Sequence, residues 1–354
     1  MSDRRRWAGW LWLVLVVMGG IWWSQPGWRP AWGSGVGWGR SGGEVPIMQI
    51  DIDFETYQIL LREKAAGERL GVVLAGEGWQ AVEMTWGGRR LGVEVQLSEG
   101  KMVNGWPLWL RGEGLLGGGG EERVRLWPWA VGEGVGQWGW QEVLTAEGLI
   151  SHQGGYVRLQ INGEDEGIYW WQEEVSELML ARNRRLVGPV IRFEESDYWE
   201  AVAVRGSEEA VMADPVLGWG EGMWRYLEVV SDGGGDEADR ERGVALWQGL
   251  QRGRQEAGAV FNRQQYGELM ALMDWWGVVS RGPSEWGYYY NGQNGRLEPF
   301  IEQVAFEWGG SQRIKSDWLY GDEALQAAYL RTLARVSAPA YLEQLRVVMG
   351  EEAG

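Results

Sequence analysis

Ile161-Asn162-Gly163-Glu164-Asp165-Glu166-Gly167-Ile168-Tyr169-Trp170-Trp171-Gln172-Glu173-Glu174-Val175-Ser176-Glu177-Leu178-Met179-Leu180 says more about this chain than any other stretch of its 354 residues. Just ahead of it, Tyr156-Val157-Arg158-Leu159-Gln160-Ile161 alternates apolar and polar side chains. That is the two-residue period of a strand, with Tyr156 or Val157 directed at a core according to register. Asn162-Gly163 tolerates the positive φ that a tight hairpin turn requires, and Gly167 is a second permissive point before Ile168–Trp171 returns as the partner strand. From Glu174 the period becomes helical, with Val175, Leu178 and Met179 on one face. Arg182, Arg184 and Arg185 fall near its C-terminal end, where cations suit the helix dipole. Glu173 stands at the junction, and on its residue type alone it is either a functional acid or an ordinary acid at a helix N-terminus.

Spelled as Asn162-Gly163-Glu164, then Gly167, Tyr169 and Glu173, the segment resembles the signature of the spore-coat CotH kinase family. The resemblance implies an α+β, atypical protein-kinase-like bilobed fold, β-rich in its N-terminal part and helical in its C-terminal part. It also implies transfer of phosphate from ATP to Ser or Thr hydroxyls with Mg or Mn. Such transfer needs a cation against the phosphates, carboxylates on the metal and an acid near the accepting hydroxyl. On that pattern Glu173 is the candidate catalytic carboxylate. Lys101 and Arg111, upstream of the hairpin where family members carry basic residues, are the candidate nucleotide-binding cations, and either could pair with Glu173. Neither lies in a family motif, so exposed strand-edge cations are the competing reading.

The same resemblance makes Leu272–Gly309 decisive, because family members carry a catalytic Asp and two metal-binding acids there. This chain has Trp275-Trp276-Gly277, Tyr288-Tyr289-Tyr290, then Leu297-Glu298-Pro299-Phe300-Ile301-Glu302-Gln303-Val304-Ala305, closing on Trp308-Gly309. Aligned on the closing aromatic-Gly, Gln303 and Ala305 occupy the two acidic positions, and Arg281 or Gly282 falls near the catalytic Asp. An amide cannot replace a carboxylate's charge against a divalent ion, and alanine offers no ligand. Glu302 and Glu307 are the candidate replacement metal ligands, although on a strand Glu302 faces away from Gln303. His152, the sole histidine, reads as a surface residue in a Gly-rich loop.

Composition narrows the partners. With Asp3 and Arg4–Arg6 set aside, the remaining chain carries a net charge of −19, which argues against nucleic acid. The absence of cysteine removes disulfides, thiolate metal sites and cysteine nucleophiles. Glycine (57) and tryptophan (27) are in excess while lysine is confined to positions 64, 101 and 315. A G-rich codon bias accounts for that pattern, and an aromatic surface that stacks on sugar rings is the functional alternative.

Arg4-Arg5-Arg6 precede an uncharged apolar run from Trp7 to Trp23, near the lower length limit for a membrane span. The expectation is a single-pass anchor over residues 1–23, N-terminus cytoplasmic and the C-terminal domain outside, with a cleaved signal peptide as the rival. Residues 24–44, rich in Gly, Trp and Pro, read as a linker, and 45–350 as the folded domain. Short strands are expected around 47–52, 71–75, 81–86, 92–97 and 107–111, with a helix over 54–64. Helices are expected over 223–230, 240–252, 266–276, 323–336 and 341–349. The functional expectation is a membrane-anchored, extracytoplasmic pseudokinase that binds a nucleotide without turnover, a surface protein or a glycan. The alternatives are an active kinase using Glu302 or Glu307, and an aromatic-rich glycan- or polymer-binding module.

Overall fold

The computed structural model describes residues 45–306, apart from 75, 77, 118–119, 130–134, 194–195, 214–226, 231–236 and 281–284, together with 319 and 321–351. The expected anchor and linker lie outside the described residues. Among the described residues no helix is long and apolar enough to cross a membrane.

In chain order the first half runs β1 (Ile47–Asp51), α1 (Phe54–Leu70), β2 (Val72–Val73), β3 (Gln80–Trp86), β4 (Arg89–Leu97), β5 (Gly100–Lys101), β6 (Leu108–Glu113), β7 (Glu121–Pro128), α2 (Val135–Ala146), β8 (Gly154–Ile161), β9 (Glu164–Glu173) and α3 (Glu177–Arg182). Seven of these strands form a closed barrel in the order β1-β3-β4-β6-β7-β9-β8. Six pairings are antiparallel, and β8 closes the ring by running parallel to β1, Ile47 opposite Arg158 through Ile50 opposite Ile161. Closure gives each of these strands a hydrogen-bonded neighbour on both sides. This overturns the protein-kinase-like bilobed fold expected from the hairpin segment: the β-rich part is a barrel closed on itself.

Period-two alternation fills the barrel. Met48 and Ile50, Val93 and Val95, Leu108 and Leu110, Val124 and Leu126, and Val157 and Leu159 all point inward and are buried, with Trp86 and Trp171 meeting edge to face at 5.2 Å. Helix α1 starts at Asp53, whose carboxylate accepts from the amides of Glu55 and Thr56, and stops at Gly71 in the left-handed region. It lays Leu60 against the barrel core.

The β8–β9 hairpin forms as expected. Asn162 (φ 52) and Gly163 (φ 83) both take positive φ, the geometry of a tight primed turn. The Asn162 side chain also accepts a 2.7 Å bond from the Ile52 amide, which ties the turn to the end of β1. A register shift at Leu159/Gln160 falls opposite Gly167 (φ 93), so the second permissive glycine serves a bulge. Both faces of β8 are covered: Val157 faces the barrel core, while Tyr156 packs on Trp138 and Trp170 outside it. Helix α3 begins later than its period implied, capped by Ser176, and buries Met179 and Leu180 while Leu178 is exposed.

The second half runs β10 (Val190–Phe193), α4 (Ser196–Arg205), α5 (Glu208–Met212), β11 (Leu227–Val230), α6 (Glu237–Gln251), α7 (Ala257–Val260), α8 (Arg263–Trp276), β12 (Val278–Val279), β13 (Trp286–Asn291), β14 (Arg296–Ile301), β15 (Ala305–Phe306), α9 (Glu323–Val336) and α10 (Pro339–Glu351). An antiparallel sheet in the order β11-β10-β13-β14 runs through it, and residues 227–230, expected as helix, are its edge strand. The helices α6, α8 and α9 bury Trp247, Leu269, Met273 and Leu325 in one cluster with Tyr288 and Leu297 of the sheet. Val175, Met179 and Leu180 at the exit from the barrel pack with Val190, Tyr289 and Phe300, which joins barrel and sheet.

Candidate functional site

A cleft of about 240 Å³ opens where the outer wall of the barrel faces β10, the start of α4 and the end of β14. Its floor follows from strand register. Gln96 of β4 lies opposite Trp109 of β6, Trp109 opposite Arg125 of β7, and Arg125 opposite Gln172 of β9. All four line the cleft, so one cross-strand row presents amide, indole, guanidinium and amide. Inward neighbours on the same strands are apolar, and alternation therefore forces these side chains outward.

The Arg125 guanidinium sits over two indole rings, 5.4 Å from the centroid of Trp109 and 5.5 Å from that of Trp127. Each such contact is worth about 0.5–2 kcal/mol and holds the side chain in one place. One of its N–H groups donates to the Glu99 carbonyl at 3.0 Å. Among the described residues it has no carboxylate partner. The other two arginines of the cleft are paired: Arg192 donates to Glu174 at 2.9 Å and stands 4.0 Å from Glu302, and Arg123 stands 3.6 Å from Glu174. Ser196 Oγ donates to a Glu99 carboxylate oxygen at 2.6 Å on the opposite rim.

Glu173, the last residue of β9, lies in the cleft wall and is 2% exposed. It does not serve as an acid at the start of the following helix. Its partner is Arg182 at that helix's far end, and Gln153 N donates to its Oε1 at 2.5 Å. Lys101 and Arg111, the sequence-expected partners, do not reach it. Burial pushes the Glu173 carboxyl up to about 7, against the pull of Arg182 and of the Gln153 amide. Its Oε2 is buried and has no hydrogen-bond partner among the described residues. Beside it His152 is 4% exposed rather than on the surface, and burial holds its imidazole down to about 4. Its Nδ1 stands 3.1 Å from the Glu173 carbonyl, which only accepts, so Nδ1 carries the hydrogen and Nε2 is left as a buried acceptor with no partner among the described residues.

The expected site residues divide. Glu173 and Glu302 line the cleft, and Gln303 lines it too, because β14 ends at Ile301 and the chain bends there instead of alternating. Lys101 is exposed on the two-residue strand β5, 3.6 Å from Glu208, and lines no part of the cleft. Arg111 is paired with Glu94 at 2.6 Å and lies 4.4 Å over Trp79, whose ring forms one edge of the cleft. Glu307, Arg281 and Gly282 lie outside the described residues. Ala305 is buried on β15.

The donors among the described residues do not fit a nucleotide's divalent metal. Among the described residues no three His, Asp or Glu side chains form a group that could hold a metal ion; of the cleft carboxylates, Glu173, Glu174 and Glu302 each face arginine and Glu99 accepts from Ser196. Neither family models nor curated proteins yield a match to this chain.

Sequence reasoning missed Arg125, Trp109, Trp127 and the two glutamines. The signal was there in part: Leu108-Trp109-Leu110-Arg111 and Arg123-Val124-Arg125-Leu126-Trp127 alternate cleanly. What puts Trp109 opposite Arg125 is the register across the 114–120 connection, which alternation does not specify.

Proposed function

We propose that this protein works by binding, and that the cleft takes a ligand carrying an anionic group beside a ring. Arg125 carries this reading. It is a guanidinium with no carboxylate partner among the described residues, held in place by two indoles on the cleft floor, with donors left over for a carboxylate or phosphate. A cation fixed before the ligand arrives loses little further freedom on binding. Trp79, Trp109 and Trp127 supply apolar faces for a ring.

The amide of Gln303, at a position where the CotH resemblance expects an acid, supports binding without phosphoryl transfer. So does the engagement of Glu173, Glu174 and Glu302 by arginines. The reading keeps the binding role that the missing acids imply and does not use a kinase-like fold. With residues 1–23 as a membrane anchor, the cleft would stand outside the cytoplasm, facing surface proteins and glycans.

Tryptophan fluorescence and calorimetry on the intact, detergent-solubilised protein test this, with AMP, ATP and glucuronic acid as probes. Binding of at least one probe, weakened tenfold or more by Arg125→Gln, is the expected result. Silence across the set would end the proposal. So would manganese-dependent transfer of labelled phosphate from ATP to a Ser-rich acceptor that Glu302→Gln abolishes.

A further inference from the structure

Resting on that reading, we infer that the ligand of the cleft is an acidic sugar: a pyranose chain with a single carboxylate at Arg125 and hydroxyls donating into the wall around Glu173 and His152. Three independent features select it from among anionic ring compounds.

The first is charge. The lining holds three arginines and four glutamates, Glu99, Glu173, Glu174 and Glu302, and only Arg125 among the arginines has no carboxylate partner among the described residues. A triphosphate brings several negative charges into such a rim with one guanidinium to meet them and, among the described residues, no set of donors for a compensating metal ion. One carboxylate meets one guanidinium, in the two-pronged geometry that Arg favours.

The second is hydrogen-bond polarity. Two buried atoms of the cleft wall, Glu173 Oε2 and His152 Nε2, lack hydrogen-bond partners among the described residues, and both accept once the carboxyl is ionised, above about pH 7. Phosphate oxygens would add acceptors to acceptors. Hydroxyl groups donate, and they are the groups that complete such a wall.

The third is the shape of the floor. The row Gln96, Trp109, Arg125, Gln172 spans three strand spacings, about 14 Å. An amide stands at each end, able both to donate to and accept from hydroxyls, and the Trp109 indole and the Arg125 guanidinium stand between them, with the Trp127 indole two residues along β7, for the C–H face of a saturated ring. That length exceeds one ring, so the floor suits a disaccharide or longer.

Four probes decide the matter on the intact protein by calorimetry: a disaccharide bearing one glucuronic acid, the same disaccharide with the carboxyl reduced to a hydroxymethyl, ATP, and AMP. The expected result is preference for the acidic over the reduced disaccharide by tenfold or more. Arg125→Gln should bring the two together, and Gln172→Leu should weaken both by severalfold. Thermal melts of each variant confirm folding, and Arg125→Lys, which keeps the charge and loses the fork, should retain part of the preference. ATP or AMP binding with no response to either disaccharide would overturn the sugar assignment and leave the anionic-ring reading standing. Silence towards all four would overturn both. Equal affinity for the acidic and reduced sugars, or a preference that survives Arg125→Gln, would remove the assigned role of Arg125 and the inference with it.

Discussion

The two faces of β6 and β7 are one residue apart in sequence and differ in almost everything else. Inward, Leu108, Leu110, Val124 and Leu126 are fully buried in the barrel. Outward, Trp109, Arg125 and Trp127 form a guanidinium–indole stack on the cleft floor. The inner face is held by apolar area removed from water, which is indifferent to orientation. The outer face is held by directional contacts that leave donors unspent. The comparison teaches that this barrel is a rigid mount: its interior carries the stability and its wall carries the recognition. Stability and binding should therefore separate by residue parity along these strands.

The largest effect should come from the inner face. Leu110→Ala leaves a cavity in a closed, filled barrel and should cost about 2–5 kcal/mol in urea unfolding. A cost as small as that of an outward substitution on the same strand would break the comparison.

Next in size are the two buried titrating groups beside the cleft. Glu173 holds its proton up to about pH 7 in the folded chain against an ordinary value of 4.5. Its contribution to stability is therefore full below pH 4.5 and is lost as pH rises through 7, by up to about 3 kcal/mol. His152 does the reverse. Its folded value of about 4 lies below the ordinary 6.5, so its contribution is full above pH 6.5 and is lost as pH falls through 4. In the native protein the two slopes oppose each other between 4.5 and 6.5. Glu173→Gln should expose the rise in stability from pH 4 to 6.5, and His152→Asn the fall from 4.5 to 7. Urea midpoints taken at half-unit pH steps check both; parallel profiles for the three proteins would contradict the burial argument.

The hairpin turn gives a smaller effect. Asn162→Ala removes the side-chain oxygen that accepts from Ile52 and places alanine at positive φ, so a loss of about 1–2 kcal/mol is expected. Thermal unfolding measures it. Comparable or smaller changes should come from two exposed or half-exposed cations. Arg125→Gln should cost about 1–2 kcal/mol, since it forgoes one hydrogen bond and two indole contacts, and Lys101→Ala less than about 1 kcal/mol, since it forgoes an exposed ion pair. They sharpen the comparison through binding: ligand affinity should drop for Arg125→Gln and hold for Lys101→Ala.

Much of the secondary structure was legible locally, while the kinase-like fold expected from the hairpin segment did not form. The strands of β1, β3, β4 and β6, the Asn162-Gly163 turn and the helices α6, α8, α9 and α10 follow from period and capping. The candidate site was legible only in part. Glu173 was visible as an acid at a strand-to-helix junction and Glu302 as a strand acid beside the expected metal positions, and both line the cleft. Arg125 gave no sign of its role, because an arginine flanked by valine and leucine on a strand looks like any solvated face. His152 was misread for the opposite reason: a Gly-rich neighbourhood suggested surface, yet the ring packs against Phe300, brought from 148 residues away. The strand at 227–230 also departed from its expected helix, since its pairing with β10 is a long-range contact that no local propensity records.

The sequence by itself determined which residues alternate, where the chain turns and where most of the helices lie, because these depend on φ preference and on neighbours within a few positions. Only the tertiary structure decided that β8 lies parallel to β1 and shuts the barrel, and that Gln96, Trp109, Arg125 and Gln172 stand in one row. It also decided that Arg182, and neither Lys101 nor Arg111, meets Glu173. Those outcomes depend on strand register and on contacts between segments far apart in sequence, which are set by how the whole apolar interior is buried at once.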